Sequence, residues 1–571
     1  IDGLAKMPLQ ASMFCFVVLY INFEGGGAVK KRFALFLSAA AFVFSTFLFS
    51  GCQSGYLMGD VNGDGAVDFT DVLTLSRYLS GDVFTVDKNN SDMSFDGKIT
   101  ATDLSVLKKY LAGAAMPGNR FSSLSLNGES VESYRLIVPA SAGEDSCEYR
   151  AASLLARHIE KSCGVSVEIA DDTEQEKRWE ILIGATSREE SKYCFKEFER
   201  MKSSPLQYLV CSRGTKIVML GEGFAVGGGV GYLTHTAFDT AGAWNSEANV
   251  SVPVQTVLRE YSPAQAQNVI LIIGDGMGSG AVELYKAANP LCTDDNGILR
   301  ELSHNGNGNF TAEAFPNLGN AGTSNIKGLV TDSAASATAI ATGYKTLNTY
   351  LGAIPVDSDG DGTFDGVRSV QNVREYAARR KASTGIISTD RITGATPNAF
   401  LVHHSYRYEY SVVRAQQEAL GNSTLKCDYL WCDYDSDSLV KRFADAVDLL
   451  GENDSGFFLM AEEAMIDKYE SKLDYENTVR TVERLDSVVE YAALYAVCHP
   501  ETAVIVTADH ETGGLVSQQN DDGKTVFSFT SGGEHTGSEV AVYAIGPGTE
   551  IFAGKTVENT DIARFIFSVF S

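Results

Sequence analysis

The feature that most constrains this chain is a set of apolar runs, each stopping at a residue able to hold a metal ion. Asn268–Ile273 is an unbroken Val/Ile/Leu run, as expected of a strand buried on both faces of a parallel sheet. It ends Gly274-Asp275-Gly276-Met277-Gly278. A second run, Thr502–Val506, ends Thr507-Ala508-Asp509-His510-Glu511-Thr512-Gly513-Gly514. Phe457–Met460 leads to Glu462, and Thr384–Ser388 leads towards Thr396. Open α/β sheets bind ligands beyond the carboxyl ends of their strands, so these groups are expected to converge. One aspartate after a strand is ordinarily a turn. Four donors placed this way define a site.

The stretch Thr331-Asp332-Ser333-Ala334-Ala335-Ser336-Ala337-Thr338-Ala339 predicts a helix, with Gly343 as its C-cap. Ser333 then sits at a helix N-terminus, where free N–H groups and the positive dipole end favour an anion. A serine there can also be a plain N-cap. Its company favours the anion site.

At 571 residues the chain needs three or more folded units. Its 44% apolar and 21% charged residues are ordinary globular composition. A formal charge of −27 argues against nucleic-acid binding, which needs a basic face. The ten cysteines include no CxxC pair, which removes zinc-finger ligation. Cys427 and Cys432 are close enough in sequence to bridge, without showing that they do.

Lys30-Lys31-Arg32, an apolar run from Phe33 to Phe49, then Ser50-Gly51-Cys52 predict a secretory signal within residues 1–55. Leu48-Phe49-Ser50-Gly51-Cys52 resembles a lipobox, so a lipid anchor at Cys52 and plain secretion both stay open. Residues 1–28 do not suit the front of such a signal. Glu24-Gly25-Gly26-Gly27 reads as a translated ribosome-binding site, with Val29 as the start.

Two twelve-residue segments, 60–71 and 92–103, repeat one oxygen-ligand spacing. The first offers Asp60, Asn62, Asp64, Asp68 and Asp71; the second offers Asp92, Ser94, Asp96, Thr100 and Asp103. Gly65 and Gly97 supply the sharp turn that a loop wrapping Ca²⁺ requires. Each loop runs into a short amphipathic helix ending Tyr-Leu-Ser/Ala-Gly. Residues 56–116 therefore resemble a dockerin, an all-α calcium-binding module. The resemblance implies a cohesin domain of a scaffold protein as partner, contacted near Thr70, Arg77, Thr102, Lys108 and Lys109. Asp357-Ser-Asp359-Gly-Asp361-Gly-Thr-Phe-Asp365 is a third loop of this look, but Arg368 at its last position favours a solvated acidic turn.

Residues 121–260 alternate between periods of two and 3.6, predicting a small α/β domain. Strands are expected at 134–138, 165–169, 180–183, 206–211 and 216–220, with helices at 147–162 and 187–200 and a Gly-rich helix start at 227–231. The segment resembles the non-catalytic N-terminal domain of some glycoside hydrolases, which implies a supporting role.

From 264 to 571, Ile-Gly-Asp-Gly-Met-Gly, Thr-Asp-Ser-Ala-Ala-Ser-Ala-Thr, Thr-Ala-Asp-His-Glu-Thr-Gly-Gly and Glu534-His535-Thr536-Gly537, in that order, resemble the alkaline phosphatase family. The resemblance implies a three-layer α/β/α sandwich that hydrolyses small phosphate monoesters. It implies Ser333 as nucleophile and Arg407 as phosphate clamp. Asp275, Asp509 and His510 would hold one Zn²⁺, Asp467 and His535 a second, and Asp275, Thr396 and Glu462 a Mg²⁺. Two positions depart from the family pattern. Ser471 stands where a second-zinc histidine is usual, leaving Glu470 or Asp474 as substitutes, and Gly394 stands where relatives carry Asp or His. Two alternatives therefore stay open: a weakly active or non-catalytic scaffold-borne protein, and a phosphodiesterase or sulfatase of the same fold.

Overall fold

The computed structural model describes residues 122–241, 249–287, 290–293, 299–302 and 308–571, with a few isolated positions before them. The signal segment, Cys52 and both calcium loops lie outside the described residues as segments. The chain divides into two compact units: residues 1–93 with 99–104, and residues 94–98 with 105–571. Everything below concerns the second.

Its first sheet has six strands: β1 (Arg135–Val138), β2 (Ile169–Asp171), β3 (Glu180–Ile183), β4 (Gln207–Arg213), β5 (Lys216–Gly221) and β6 (Val257–Glu260), in the order β2-β1-β3-β5-β4-β6. Helices α1 (Cys147–Cys163), α2 (Glu189–Met201) and α3 (Gly227–Ala241) accompany it. Strand β2 falls later than the expected 165–169. It is an edge strand whose residues are only half-buried, so its apolar signal is weak.

At one end of this sheet Arg135, Glu180 and Lys216 stand in register on three neighbouring parallel strands. The buried Glu180 carboxylate receives Arg135 Nη2 at 2.9 Å, Lys216 Nζ at 2.9 Å and Arg188 Nε at 3.1 Å. Burial opposes its ionisation, but these hydrogen bonds outweigh it and hold its pKa at about 2. Because this lies below the ordinary value, the stabilisation is present above pH ~4.5 and is lost as pH falls through about 2. Glu180→Ala strands buried cations and is expected to cost about 3–5 kcal/mol. Thermal denaturation should show a Tm lower by roughly ten degrees and a shallower acid dependence than the wild type. An unchanged Tm would mean the cluster is not stabilising.

The second sheet has eight strands: β7 (Asn268–Gly274), β8 (Asn317–Gly322), β9 (Ser383–Ser388), β10 (Tyr429–Cys432), β11 (Phe457–Glu463), β12 (Thr502–Thr507), β13 (Val540–Ile545) and β14 (Thr556–Glu558). Their order is β10-β9-β11-β7-β12-β13-β8-β14, and the first five run parallel. Helices α4 (Ser333–Thr342), α5 (Val373–Arg379), α6 (Ala395–Ala399) and α10 (Asn559–Val569) pack as one group. Helices α7 (Leu439–Leu450), α8 (Met465–Glu470) and α9 (Tyr475–Cys498) pack as another. Between them β7, β11 and β12 are buried along their whole length, which explains their unbroken apolar runs. This is the expected three-layer α/β/α arrangement.

The Gly-rich start of α3 has a packing reason. A Cβ on Gly231 would lie 3.0 Å from the carbonyl oxygens of Val497 and Cys498, so α3 crosses α9 backbone to backbone. One apolar core runs from the first sheet through this contact into the second. All eight cysteines among the described residues are free thiols; Cys427 directs its sulfur to the Thr384 and Tyr429 carbonyls.

Candidate active site

Parallel register places the site. Ser388, Glu462, Ile273 and Thr507 stand side by side across β9, β11, β7 and β12. Asp275 and Asp509 lie two residues beyond this row, at the carboxyl end of the sheet. Glu462 lies inside β11, which runs three residues past the expected Met460. Strand alternation sends Glu462 and Glu463 opposite ways. Glu463 is taken by Arg484 at 2.6 and 2.8 Å, while Glu462 accepts a hydrogen bond from Ser388 Oγ.

Helix α4 begins at Ser333 and ends at Gly343, whose φ of 77° closes it. The N-cap is Asp332, which accepts from Ala335 N at 2.9 Å. Ser333 is thereby released from capping, and its hydroxyl faces His510 Nε2 at 3.3 Å. The same nitrogen lies 3.4 Å from Asp275 Oδ1 and 3.3 Å from Asp509 Oδ2. Those two carboxylate oxygens are buried and have no hydrogen-bond donor. At a tetrahedral zinc with bonds of ~2.0–2.1 Å, neighbouring ligand atoms stand about 3.3 Å apart. The observed separations match that edge length.

Local contacts set this geometry. Asp509 Oδ1 accepts from Gly276 N at 3.1 Å and His510 N at 3.0 Å, which aims Oδ2 inward. Gly276 has φ 80°, and a Cβ there would lie 2.8 Å from Asp467 Cα, so only glycine lets the two loops meet. Thr512 Oγ1 donates to Asp467 Oδ1 at 2.7 Å and therefore accepts from His510 Nδ1 at 3.2 Å. With its proton on Nδ1, His510 offers a bare Nε2 to the carboxylates and Ser333.

Asp467, His510 and His535 form a second group, all within 4.8 Å of one another, as do Asp275, Asp509 and His510. His510 belongs to both, and its ring stacks on His535 at 3.6 Å between centroids. His535 Nδ1 donates to the Thr331 carbonyl at 3.0 Å, and Nε2 faces Asp467 Oδ1 at 3.3 Å. Burial alone would lower its pKa, but Asp467 pushes it up to about 9. Burial likewise works against Asp467, which His535 and His510 hold well below the carboxylate range.

Of the expected substitutes for a histidine at Ser471, Asp474 is taken: it caps α9 through Asn477. Glu470 is fully buried, and burial with the nearby Glu511 and Asp467 charges raises its pKa well above normal. It is absent from the Asp467–His510–His535 group. Arg407 Nη1 reaches Asp332 Oδ2 at 3.4 Å, one residue before the Ser333 helix position. Thr396 is buried, with its hydroxyl against the Glu462 carboxylate. Burial, and then the Asp390 charge, push Glu462 up to about 8. Asp275 is raised by burial and then by Asp509.

Sequence reading missed Asp390, Lys468 and Thr512. Lys468 is partly buried, which works against its charge, but the Asp275, Asp390, Asp467 and Glu462 charges keep it protonated. Its only signal was adjacency to Asp467. Asp357, Asp359 and Asp361 do cluster, on an exposed loop whose carboxylates accept backbone N–H groups of the turn itself.

An open, mostly parallel sheet with carboxylates and imidazoles gathered around a helix-start serine is the arrangement of a hydrolase site. Residues 266–431 and 430–533 match the alkaline phosphatase family model, and residues 58–112 match the dockerin type I model. The chain is 26% identical to alkaline phosphatase 4 of Bacillus subtilis over 436 residues, covering 54% of this chain and 90% of that one. With alkaline phosphatase 3 of the same organism it shares 25% over 463 residues, covering 57% and 94%. Among solved structures, the alkaline phosphatase of the Antarctic bacterium TAB5 aligns with a TM-score of 0.44 and 23% identity, covering 54% of this chain and 99% of that one. The chain carries an alkaline phosphatase family catalytic domain together with a dockerin domain, and it is a hydrolase of that family.

Proposed function

We propose that the enzyme hydrolyses phosphate monoesters in two displacements through a phosphoserine at Ser333. The observation that carries this reading is the convergence of Ser333 Oγ, Asp275 Oδ1 and Asp509 Oδ2 on His510 Nε2, each at 3.3–3.4 Å. Carboxylate and imidazole donors suit zinc at Asp275, Asp509 and His510, and at Asp467 with His535. The oxygen donors Asp275, Thr396 and Glu462 suit magnesium. Bound there, these ions would supply positive charge that acidifies the serine hydroxyl and water and neutralises the ester oxygens.

The residues do the rest. Ser333 loses its proton and its Oγ bonds to phosphorus, while the bond to the ester oxygen breaks and the leaving alkoxide takes up a proton. The Arg407 guanidinium holds two non-bridging oxygens, turned towards them by Asp332. The free N–H groups at the start of α4 add positive potential where charge accumulates. Water then attacks phosphorus from the vacated side, releasing phosphate and restoring the hydroxyl.

The dockerin family match supports calcium binding at Asp60, Asn62, Asp64, Asp68, Asp71, Asp92, Ser94, Asp96, Thr100 and Asp103, and attachment to a cohesin-bearing scaffold outside the cell. Among the described residues, no helix is long and apolar enough to cross a membrane.

The test is a side-by-side assay of p-nitrophenyl phosphate, bis(p-nitrophenyl) phosphate and p-nitrophenyl sulfate with Zn²⁺ and Mg²⁺. The monoester should turn over at least about a hundredfold faster than either competitor, a gap of about 2.7 kcal/mol in barrier. Faster diester or sulfate turnover would replace this reading with one of the alternatives. No turnover of any ester would make the chain a binding protein.

A further inference from the structure

Gly394 leaves a space in the wall beside Glu462, and the structure shows what fills it. A Cβ built on Gly394 would lie 2.5 Å from Asp390 Oδ2 and 2.8 Å from Asp390 Cγ. The turn that closes with Gly394 N donating to Arg391 O at 2.7 Å brings the two positions together. Asp390 is 8% exposed. Its Oδ1 accepts from the next backbone N–H at 2.8 Å, while Oδ2 has only Lys468 Nζ at 3.6 Å, too far for a good hydrogen bond. Its backbone N–H donates to Ser388 Oγ, the hydroxyl that itself donates to Glu462, so Asp390 and Glu462 are tied through one side chain.

Asp467 has His535 as its cation, so Asp275, Asp390 and Glu462 are left to share the one ammonium of Lys468. One cation does not balance three carboxylates in a largely buried setting. The buried Thr396 hydroxyl, which lies against Glu462, and Asp275 Oδ1, which has no hydrogen-bond donor, add oxygens to the same region. Oxygen donors with excess negative charge suit a small hard cation.

We infer that Asp390 is a further carboxylate of the oxygen-lined magnesium site, occupying from four residues upstream the volume that a side chain at position 394 would take. This rests on the proposed Asp275–Thr396–Glu462 site. Asp390 acts there directly or through water, and Lys468 holds it in place.

The test uses the full-length, zinc-loaded enzyme and measures Mg²⁺ alone: metal per chain after equilibrium dialysis, and the Mg²⁺ midpoint of the Tm rise. Asp390→Ala should weaken Mg²⁺ at least about tenfold, with zinc content kept; Asp390→Asn serves if the alanine variant folds poorly. Gly394→Asp alone should also weaken it, because the new Cβ collides with the Asp390 carboxylate. Asp390→Ala with Gly394→Asp should recover binding, since φ −58° and ψ 154° at 394 admit any residue. Unchanged Mg²⁺ affinity in Asp390→Ala, or no recovery in the double variant, overturns the inference. Thr396→Val separates the two levels. If it abolishes Mg²⁺ binding while Asp390→Ala does not, only the inference falls; if neither changes binding, the underlying magnesium site falls as well.

Discussion

Ser333→Ala is expected to lower kcat/KM for a phosphate monoester by about 10⁴-fold or more, with Tm changed by no more than about a degree. The reasoning starts from the hydroxyl's surroundings. Its hydrogen-bond contact is His510 Nε2 at 3.3 Å, and the cap of α4 is made by Asp332 instead. Removing the oxygen therefore deletes a nucleophile without deleting a structural bond. Alanine also has the higher helix propensity, so the first turn of α4 loses nothing. Arg407, held through Asp332, stays in place, and ester binding should persist with a similar KM. An alanine variant as fast as the wild type would end the assignment.

The second large effect is expected for His510→Ala. Its bare Nε2 is the one imidazole nitrogen facing Asp275 and Asp509, so its loss opens that group. Asp275 and Asp509 alone fall short of the three protein ligands of a catalytic zinc. Zinc per chain should fall by at least one ion, and activity by about 10³-fold or more. The carboxylates left behind repel one another in a buried setting, so Tm should fall too. Elemental analysis after dialysis reads the first effect. Full zinc content in the variant would show that His510 is not a ligand of the Asp275–Asp509 group.

Much of this site was legible because its strands are buried on both faces. Parallel strands in a three-layer fold have no polar side, so β7 and β12 appear as unbroken apolar runs and their ends mark the active edge. Strand β11 shows the limit. It carries Glu462 and Glu463 within its last residues, and pattern alone ends it at Met460 because charges rarely sit in a buried strand. Arg484 makes the second of them tolerable, and a partner in a helix twenty-one residues away leaves no periodic trace. Asp332 adjoins Ser333 in sequence, yet which of the two caps the helix depends on side-chain direction. Asp390 was illegible for a similar reason: it becomes a neighbour of Gly394 only through a short turn outside any helix or strand period. The dockerin was read from duplicated spacing, a signal internal to the chain, and its family match spans 58–112.

The central claim is that the serine hydroxyl itself takes the phosphoryl group. Acid quenching of enzyme during turnover of a labelled monoester, followed by peptide mapping, tests it most directly. The label is predicted on Ser333 within the peptide containing Thr331 to Ala339, and absent from Ser333→Ala. Label on another residue, or sustained hydrolysis with no labelled peptide under conditions that trap the intermediate, would contradict it.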